Sequence, residues 1–473
     1  MAKKKILLLS DDMRIPSGVG TMSNALIKNT IHKYDWAQIA GAVKHPEQGQ
    51  KFDVGASIGE QVGVKDAYCK LYPVNGYGNE QILREVLAIE KPDAIMHFTD
   101  PRFWDWLYNM EHELRQTTPI MYLNIWDDLP FPHWNESAYE SCDLLMAISK
   151  QTYNINKHVC QRKPRVEEKD LFYVQHGINE KVFYPIKYNA DTTSDEHTEF
   201  AKFKNAVTNG RDYNFVALFN SRNIHRKRVS DLVLAYAKMC EGLTKEQSDK
   251  CLLVLHTDPV DQHGTDLPAL VRALCPYPVA FSDKKLEERQ LNWLYNIADV
   301  VCNPSSAEGF GLSHMEAMMS GTPTIATVIG GLQDQMGFKV DGEEFNVKHL
   351  TADIPSNSTG KISKEHGEWV YPLWPQLNLQ GSPLTPYIYD SRPSVDSITK
   401  GLEYWYSKPN LDRERAGDAG REWAIENGFT HAGMAEAAIK AIEVCFETFT
   451  PRDKFKIINT SQVVVKQERG ILL

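Results

Sequence analysis

The 473-residue chain is predicted to be an α/β protein of two domains, each built on a doubly wound parallel sheet. Apolar strand patterns alternate with amphipathic helix patterns over most of the sequence, and this alternation is typical of parallel sheets covered on both faces. The alternation stops in a polar stretch between Pro185 and Arg211 and then starts again. The chain is also about three times as long as a typical domain. Two large domains joined by a linker are therefore the direct prediction.

The first predicted domain covers residues 1–185. Its short apolar runs predict strands, and longer stretches with apolar residues three or four positions apart predict helices. The predicted strands are 4–10, 36–43, 93–98, 119–126 and 143–149, and the predicted helices are 20–31 and 80–92.

The second predicted domain covers residues 212–430 and follows a linker at 186–211. Its predicted strands are 214–220, 251–256, 279–282, 299–305 and 322–328, and its predicted helices are 229–240, 267–275 and 288–298. From about Gly337 to Tyr404 the pattern weakens, and the aromatic residues of 368–375 favour core or interdomain packing. Residues 431–473 are expected to form a helix, which can pack back on the first domain, and a tail.

Composition and charge exclude several classes of protein. The net charge of -10 argues against a protein that coats nucleic acid, because neutralising phosphates needs clustered Lys and Arg. The eight cysteines include no Cys-x-x-Cys pair, so neither a disulfide framework nor a zinc ribbon is expected. The apolar run after the basic N-terminus is too short for a signal peptide, and no run approaches the roughly 20 apolar residues that span a bilayer. A cytoplasmic protein without a transmembrane segment is expected.

One stretch, AEGFGLSHMEAMMSGTP at 307–323, combines acids, glycines and a helix signal. Ser313 and Glu316 have the Ser-x-x-Glu spacing of a capping box, in which each side chain bonds a free backbone N–H of the first helical turn. Gly321 and Pro323 would then end a short helix. This structural interpretation leaves the acid and the glycines at the start of the stretch unexplained.

The second half of the sequence resembles retaining GT-B glycosyltransferases of the "family 4" type, which use nucleotide-sugars and carry an E-x7-E motif. Residues 214–239 are similar to the family's strand, arginine, lysine and helix. Residues 291–334 contain A-D, P-S, E-G-F-G, E-A-M, G-x-P and G-G in the family's order. The resemblance implies the GT-B fold, in which two Rossmann-like domains face a cleft.

The resemblance also implies a donor-binding site. Glu308 would bond hydroxyls of the donor sugar and Glu316 those of the ribose, while Gly309 and Gly311 would let the backbone approach the sugar. The helix that begins near Ser313 would direct its positive dipole end at a phosphate. The residues assigned to donor binding are Gly18, Gly20, Glu308, Gly309, Phe310, Gly311, Leu312 and Glu316.

The catalytic candidates include a basic pair that matches the family at the donor diphosphate. Arg222 and Lys227 suit that place, because the departing nucleoside diphosphate gains negative charge that fixed cations stabilise. An isolated run such as RNIHRKR would otherwise be interpreted as a solvated surface patch. The full set of catalytic candidates is Arg222, Lys227, Glu308, His97 and Asp127.

The first domain departs from the family pattern in two places. Gly18 and Gly20 follow a strand and precede a helix, but Ser23 stands where a dinucleotide-binding loop has its third glycine. The family often has His-Asp after the strand at 119–126, where this chain has Trp126 and Asp127. His97 could line the same cleft, although a lone strand histidine is more often simply packed. Asp100 is a further candidate for acceptor contacts.

No metal cofactor is expected. The loop at 256–263 contains His256, Asp258, Asp261 and His263, but such residues are also common in loops that follow strands. The chain has no Asp-x-Asp motif, which other glycosyltransferases use to hold a divalent ion on the donor diphosphate.

The predicted function is transfer of a sugar from a nucleotide-diphosphate donor to an acceptor hydroxyl, with retention at the anomeric carbon. The acceptor stays open among a glycan, a lipid, a protein, a small molecule and a hydroxylated pyrimidine of DNA, which some viral GT-B enzymes modify. Two further hypotheses are an NAD-type oxidoreductase or epimerase and an inactive nucleotide-sugar-binding protein.

Overall fold

The computed structural model describes residues 3–42, 44–160, 170–187 and 195–452, and these contain two parallel-sheet domains. The first sheet has the order β3-β4-β2-β1-β5-β6-β7-β8 and is parallel except for the short β3. Its strands are β1 (Lys4–Asp11), β2 (Tyr34–Ala42), β3 (Phe52–Asp53), β4 (Cys69–Asn75), β5 (Ala94–Phe98), β6 (Ile120–Asn124), β7 (Leu144–Ala147) and β8 (Leu171–Tyr173). Its helices are α1 (Gly18–Thr30), α2 (Gly55–Val62), α3 (Glu80–Glu90), α4 (Asp105–Asn109), α5 (Glu111–Leu114), α6 (Glu136–Glu140) and α7 (Lys150–Val159).

The second sheet has the order β11-β10-β9-β12-β13-β16 and is parallel throughout. Its strands are β9 (Phe215–Asn220), β10 (Cys251–His256), β11 (Val279–Ser282), β12 (Val300–Asn303), β13 (Thr324–Thr327) and β16 (Val370–Leu373). Two antiparallel hairpins lie outside the sheet, β14 (Lys339–Val340) with β15 (Glu343–Glu344) and β17 (Gln376–Ser382) with β18 (Thr385–Arg392). The remaining helices are α8 (Asp195–Val207), α9 (Val229–Glu241), α10 (Lys245–Ser248), α11 (Leu267–Leu274), α12 (Glu288–Ile297), α13 (Leu312–Met319), α14 (Val395–Ser407), α15 (Asn410–Glu426) and α16 (His431–Thr448).

The prediction of two doubly wound α/β domains is confirmed. Central strands are continuous apolar runs because helices cover both faces of each sheet, and Ile6 to Leu9 of β1 are fully buried. Helix starts also follow from local chemistry: the Ser17 hydroxyl caps α1 by accepting from the Gly20 N–H at 2.9 Å. α3 ends at Lys91, whose backbone is left-handed, directly before the proline that cannot continue the helix.

The region predicted to be a linker contains a helix. α8 occupies half of 186–211 and packs against α12 of the second domain, with Phe200 buried. Its sequence is rich in Asp, Glu and Lys and has few apolar residues, so the helical period was not visible. Part of the predicted linker, 188–194, and most of the predicted tail lie outside the described residues.

The last helix, α16, packs on the first domain, where it contacts α1 and β7. The chain therefore crosses between the domains twice, and the two crossings lie side by side. The Ile178 N–H donates to the Phe429 carbonyl at 2.9 Å, and the His431 N–H donates to the Ile178 carbonyl at 3.2 Å. A Cβ on Gly177 would overlap the Thr430 carbonyl, so glycine allows this close approach.

The weakly patterned region after Gly337 contains an ordered hairpin that the sequence did not reveal. β17 and β18 bridge the two domains. The Tyr389 N–H donates to the Leu129 carbonyl at 2.7 Å on the first domain, and Arg392 Nε donates to Asp231 Oδ2 at 2.9 Å on the second. Asp390 adds an ion pair with Arg228.

None of the helices within the described ranges is long and apolar enough to cross a membrane.

Candidate active site

The candidate active site is a cleft between the domains, with a volume of about 1050 Å³. It lies at the carboxyl ends of β1 and β5 in the first sheet and of β9 and β12 in the second. Each pair flanks the point where the strand order reverses, and ligands of open α/β sheets bind at such points. The loops after these strands supply most of the predicted site residues.

Two helix N-termini meet at this cleft. α1 begins at Gly18 and α13 begins at Leu312, and both residues line the cleft. A Cβ built on Gly18 would lie 3.6 Å from the Leu312 side chain, so the two helix ends are in near contact across the domain boundary. Free N–H groups and positive dipole ends from both domains therefore converge where an anion could bind.

The predicted capping box at the start of α13 is wrong. The N-cap is Gly311, at φ 94°, and no side chain caps the helix. The helix begins one residue before Ser313, which therefore lies inside the first turn. Glycine is required at position 311 for two reasons. Its backbone is left-handed, and a Cβ there would overlap the Leu332 side chain.

Glu308 is held in a buried ion pair with Lys227. Lys227 Nζ donates to Glu308 Oε1, the Ser305 hydroxyl donates to the same oxygen at 3.1 Å, and Arg226 lies 3.7 Å from Glu308 Oε2. Burial raises the pKa of Glu308, but Lys227 and Arg226 outweigh it and hold the pKa below its usual value. The acid and the cation predicted at this site are thus brought together at the cleft. Burial lowers the pKa of Lys227, and the neighbouring Glu308 opposes that shift.

Glu316 is separated from Glu308 and has a different partner. The Tyr295 hydroxyl donates to Glu316 Oε2 at 2.6 Å, and the carboxylate lines the cleft. Burial raises its pKa to about 7. Glu316 therefore does not cap α13; its side chain bonds Tyr295 of α12 instead.

Replacing Glu316 by Gln should remove a pH dependence of stability. Because its pKa is raised above the ordinary value, the folded state binds the proton more tightly, and stability falls as pH rises toward and through about 7. We expect the wild-type Tm to fall relative to that of Glu316→Gln between about pH 5 and pH 8. If Glu316 bonds the ribose, as the resemblance implies, nucleotide affinity should also weaken about tenfold, since a hydrogen bond is lost. Equal Tm differences at both pH values would contradict this role.

Arg222 lies at the rim of the cleft. Its side chain is 70% exposed and its nearest acid is Asp261, at 3.8 Å. Arg226, in the same basic run, donates to the Ala307 carbonyl at 2.6 Å. Arg222 is therefore free to reach a ligand, whereas Arg226 and Lys227 are already positioned by the loop that carries Glu308.

Two glycines assigned to donor binding allow close packing of the backbone. Gly20 does not line the cleft: it is buried where α1 meets the preceding loop, and a Cβ would lie 2.6 Å from the Ile15 carbonyl. Gly309 lines the cleft, but a Cβ there would lie 3.0 Å from the Ile125 carbonyl of the first domain. Its missing side chain therefore allows the two domains to touch.

The expectation that His97 lines the cleft is wrong. The imidazole is fully buried within the first domain, stacked on Tyr122 at 4.8 Å, with Nδ1 2.6 Å from the Tyr108 hydroxyl. Burial lowers its pKa to about 3. Because β5 is a central strand covered on both faces, the His97 side chain packs into the core and does not reach the cleft.

Asp127 lies at the cleft as predicted, beside a second carboxylate, Asp128. Burial raises the pKa of Asp127 to about 6, and burial together with the neighbouring Asp127 raises that of Asp128 well above its usual value. Trp126 is buried and donates from Nε1 to the Asp128 carbonyl at 2.9 Å. Asp100 lines the cleft too, where it caps a short helical turn and pairs with Arg102.

The residues at 256–263 do not converge. His256 Nδ1 bonds the Ser282 hydroxyl at 2.9 Å, and Asp261 accepts from the His263 backbone N–H at 2.8 Å. Across the part of the chain that the structure describes, no three His, Cys, Asp or Glu side chains are grouped to hold a metal ion.

Several cleft residues were not found from the sequence. Arg226 belongs to a basic run from which only Arg222 and Lys227 were selected. His176 lines the cleft after β8 and packs on Phe310 at 5.2 Å, and Asp128 adjoins a residue that was selected. A lone His in a loop carries no local signal, whereas the pair at Asp127 could have been recognised as adjacent acids at a strand end.

Comparisons with known proteins agree with this geometry. Residues 279–351, which include Glu308 and α13, match the family model of glycosyl transferases group 1. An uncharacterized glycosyltransferase of Methanocaldococcus jannaschii, MJ1607, is 26% identical over 212 residues, which are 44% of this chain and 47% of that protein. The chain thus spans at most about half the length of the curated relatives it matches.

Solved structures match almost the whole chain. Anabaena HepE in complex with UDP and glucose has a TM-score of 0.60 at 14% identity and covers 93% of this chain and 99% of its own. Sucrose-phosphate synthase of Thermosynechococcus elongatus has a TM-score of 0.63 at 16% identity and covers 94% of this chain and 100% of its own.

The fold and the cleft define the GT-B class, which confirms the predicted fold. Within that fold, the second domain carries a segment of the glycosyl transferases group 1 type.

Proposed function

We propose that the protein is a retaining glycosyltransferase that moves a sugar from a nucleotide-diphosphate donor to an acceptor hydroxyl. The observation that carries the proposal is the convergence, at one cleft, of two helix N-termini with Arg222 and the Lys227–Glu308 pair. These groups match the needs of a donor with a charged diphosphate and a hydroxylated sugar.

In this proposal the cations and helix ends stabilise the leaving group. The acceptor oxygen bonds the anomeric carbon as the bond from that carbon to the phosphate oxygen breaks. The acceptor attacks on the face from which the phosphate leaves, so the configuration is retained. The hydroxyl proton passes to the leaving phosphate oxygen on that same face. No side chain has to act as a strong base, and Glu308 orients the donor sugar through Oε2, the oxygen that Lys227 does not bond.

A uridine nucleotide is the first donor to test, because the similar HepE structures contain UDP and UDP-glucose. Titration with UDP, GDP, ADP and NAD should give a saturable increase in Tm with one nucleoside diphosphate, since a ligand bound only by the folded state stabilises it. The corresponding nucleotide-sugar should then release nucleoside diphosphate, and NMR of the product should show the anomeric configuration of the donor. Binding of NAD alone would favour the oxidoreductase hypothesis, and binding without turnover would favour an inactive binding protein.

Transfer should continue in excess EDTA. The positive charge at the diphosphate would come from Arg222, Lys227 and the helix ends, which are part of the protein. Added Mg²⁺ or Mn²⁺ should therefore change the initial rate only slightly. An extensively dialysed enzyme that is inactive until a divalent ion is restored would contradict the metal-independent mechanism.

A further inference from the structure

A second cavity lies beside the cleft. It has a volume of about 190 Å³, and it shares Asp127, Asp128 and Ala307 with the cleft. A cavity of about 150 Å³ in another protein holds one benzene ring, so this volume suits one small ring.

Two walls of the cavity come from the region after Gly337, for which the sequence predicted no strands or helices. One wall is the β17–β18 hairpin, through Leu377, Tyr389 and Ser391, and another is the segment 353–361. The hairpin is fastened to both domains by the Tyr389 and Asp390 contacts described above. The cavity therefore exists only because the hairpin spans the domain boundary.

The segment 353–361 is rigid although its sequence is polar. The Asn357 side chain is fully buried, donates to the Ser363 carbonyl at 2.8 Å, and accepts from the Ile362 N–H at 3.1 Å. The Asn357 N–H donates to Gln333, whose amide in turn donates to Gln151 of the first domain at 2.9 Å. Buried hydrogen bonds thus hold the backbone of this wall around Asn357.

The lining is hydroxylated and acidic. The lining includes three carboxyl groups, Asp127, Asp128 and Asp353, and one ammonium, Lys361, and Ser358 is among its several hydroxyl-bearing residues. Carboxyl groups bond hydroxyl groups as acceptors and, when protonated as the raised pKa values of Asp127 and Asp128 favour, also as donors. A single ammonium supplies the positive charge of the lining, so a neutral, hydroxyl-rich ligand fits it better than an anionic one.

We propose that this cavity binds the acceptor as a neutral sugar ring, whose reacting hydroxyl passes between Asp127 and Ala307 toward the donor sugar beside Glu308. The inference rests on the proposed function, because it names the acceptor class for the same reaction. The ring belongs either to a free sugar or to the terminal unit of a glycan.

The test uses a matched pair of variants in β17. Leu377 and Leu379 lie on the same face of the same strand, but only Leu377 lines the cavity. Leu377→Trp should occupy part of the cavity, whereas Leu379→Trp should extend into solvent from a side chain that is already 67% exposed. Ser391→Phe, at the cross-strand partner of Leu377, repeats the test from β18.

The full-length protein is assayed with the nucleotide-sugar chosen by the binding panel. Candidate acceptors are methyl hexosides, short neutral oligosaccharides, hexose 6-phosphates and hydroxymethylated duplex DNA. A neutral glycoside should accelerate nucleotide release, and its KM should rise at least about tenfold in Leu377→Trp and Ser391→Phe but not in Leu379→Trp. The Kd for the nucleoside diphosphate should not change in any of the three. Preference for methyl hexosides over oligosaccharides would identify a free sugar as the source.

Two results would overturn the inference while leaving the proposed function intact. One is an unchanged acceptor KM in Leu377→Trp and Ser391→Phe, and the other is turnover with only the phosphorylated or DNA acceptors. Failure of the wild type to bind any nucleoside diphosphate would instead overturn the proposed function, and the inference with it.

Discussion

Replacing Lys227 by Ala is expected to lower kcat about 100- to 1000-fold, the usual effect of removing one preformed electrostatic contact to a transition state. Lys227 is 7% exposed, lines the cleft and bonds Glu308. The variant removes the cation that would stabilise the leaving phosphate and also leaves Glu308 buried without its closest partner. Initial rates of nucleotide release, with the true donor, measure the effect.

The loss of the ion pair complicates this variant, so two controls accompany it. Lys238 lies in α9, the helix that follows Lys227, and its ion pair with Asp396 is exposed to solvent. The kcat of Lys238→Ala should therefore equal that of the wild type. The double variant Lys227→Ala with Glu308→Gln removes the unpaired charge and should recover Tm without recovering kcat. Near-wild-type kcat in Lys227→Ala would refute the assignment to the diphosphate.

Replacing Gly330 by Ala is expected to abolish most activity, although no ligand-binding side chain is changed. A Cβ on Gly330 would overlap the Glu308 carbonyl oxygen, and the Gly331 N–H donates to that same oxygen at 3.1 Å. The loop carrying Glu308 would have to move, and a displacement of about 1 Å in a positioned group can cost roughly 100-fold in rate. We expect a comparable fall in kcat, measured with saturating donor.

Gly342 provides the matched control for the backbone strain. Gly330 has φ 41° and Gly342 has φ 82°, so alanine is strained at both positions, but a Cβ on Gly342 would meet nothing within 4 Å. Gly342→Ala should lose stability by roughly 1 to 2 kcal/mol from its left-handed conformation alone and keep its kcat. Equal kcat in the two variants would mean that the contact with Glu308 does not position the loop.

The sequence predicted the sheets because each strand is a short apolar run that the helices cover. β1, β9 and β10 lie within one residue of their predicted bounds. The hairpin β17–β18 was missed although Leu377 and Leu379 alternate with polar residues, because the alternation is short and lies in a region rich in proline and aromatic residues. Helix α8 was missed because most of its residues are polar and only one of its side chains, Phe200, is fully buried.

Site residues were predictable where their chemistry is local and not where it depends on tertiary contacts. Glu308 and Lys227 stood in recognisable runs, but nothing near either one in sequence shows that they pair. His97 has the residue type of a catalytic group, and only the packing of Tyr108 and Tyr122 around it reveals a core position. The missing side chain of Gly309 is explained by Ile125 of the other domain, which the sequence places far away.

The paired crossings between the domains restrict how the cleft can open. A single connecting strand would leave the two domains free to twist and slide, but here Ile178 and Thr430 lie side by side in adjacent segments that run in the same direction. Their backbone hydrogen bonds and the tight approach at Gly177 keep the two segments together. Swinging about these segments would turn small changes of backbone angle into displacements of several ångströms at the far lip, and it would also have to break the bonds that the β17–β18 hairpin makes to both domains. Any opening of the cleft therefore depends on the paired crossings and on the hairpin together.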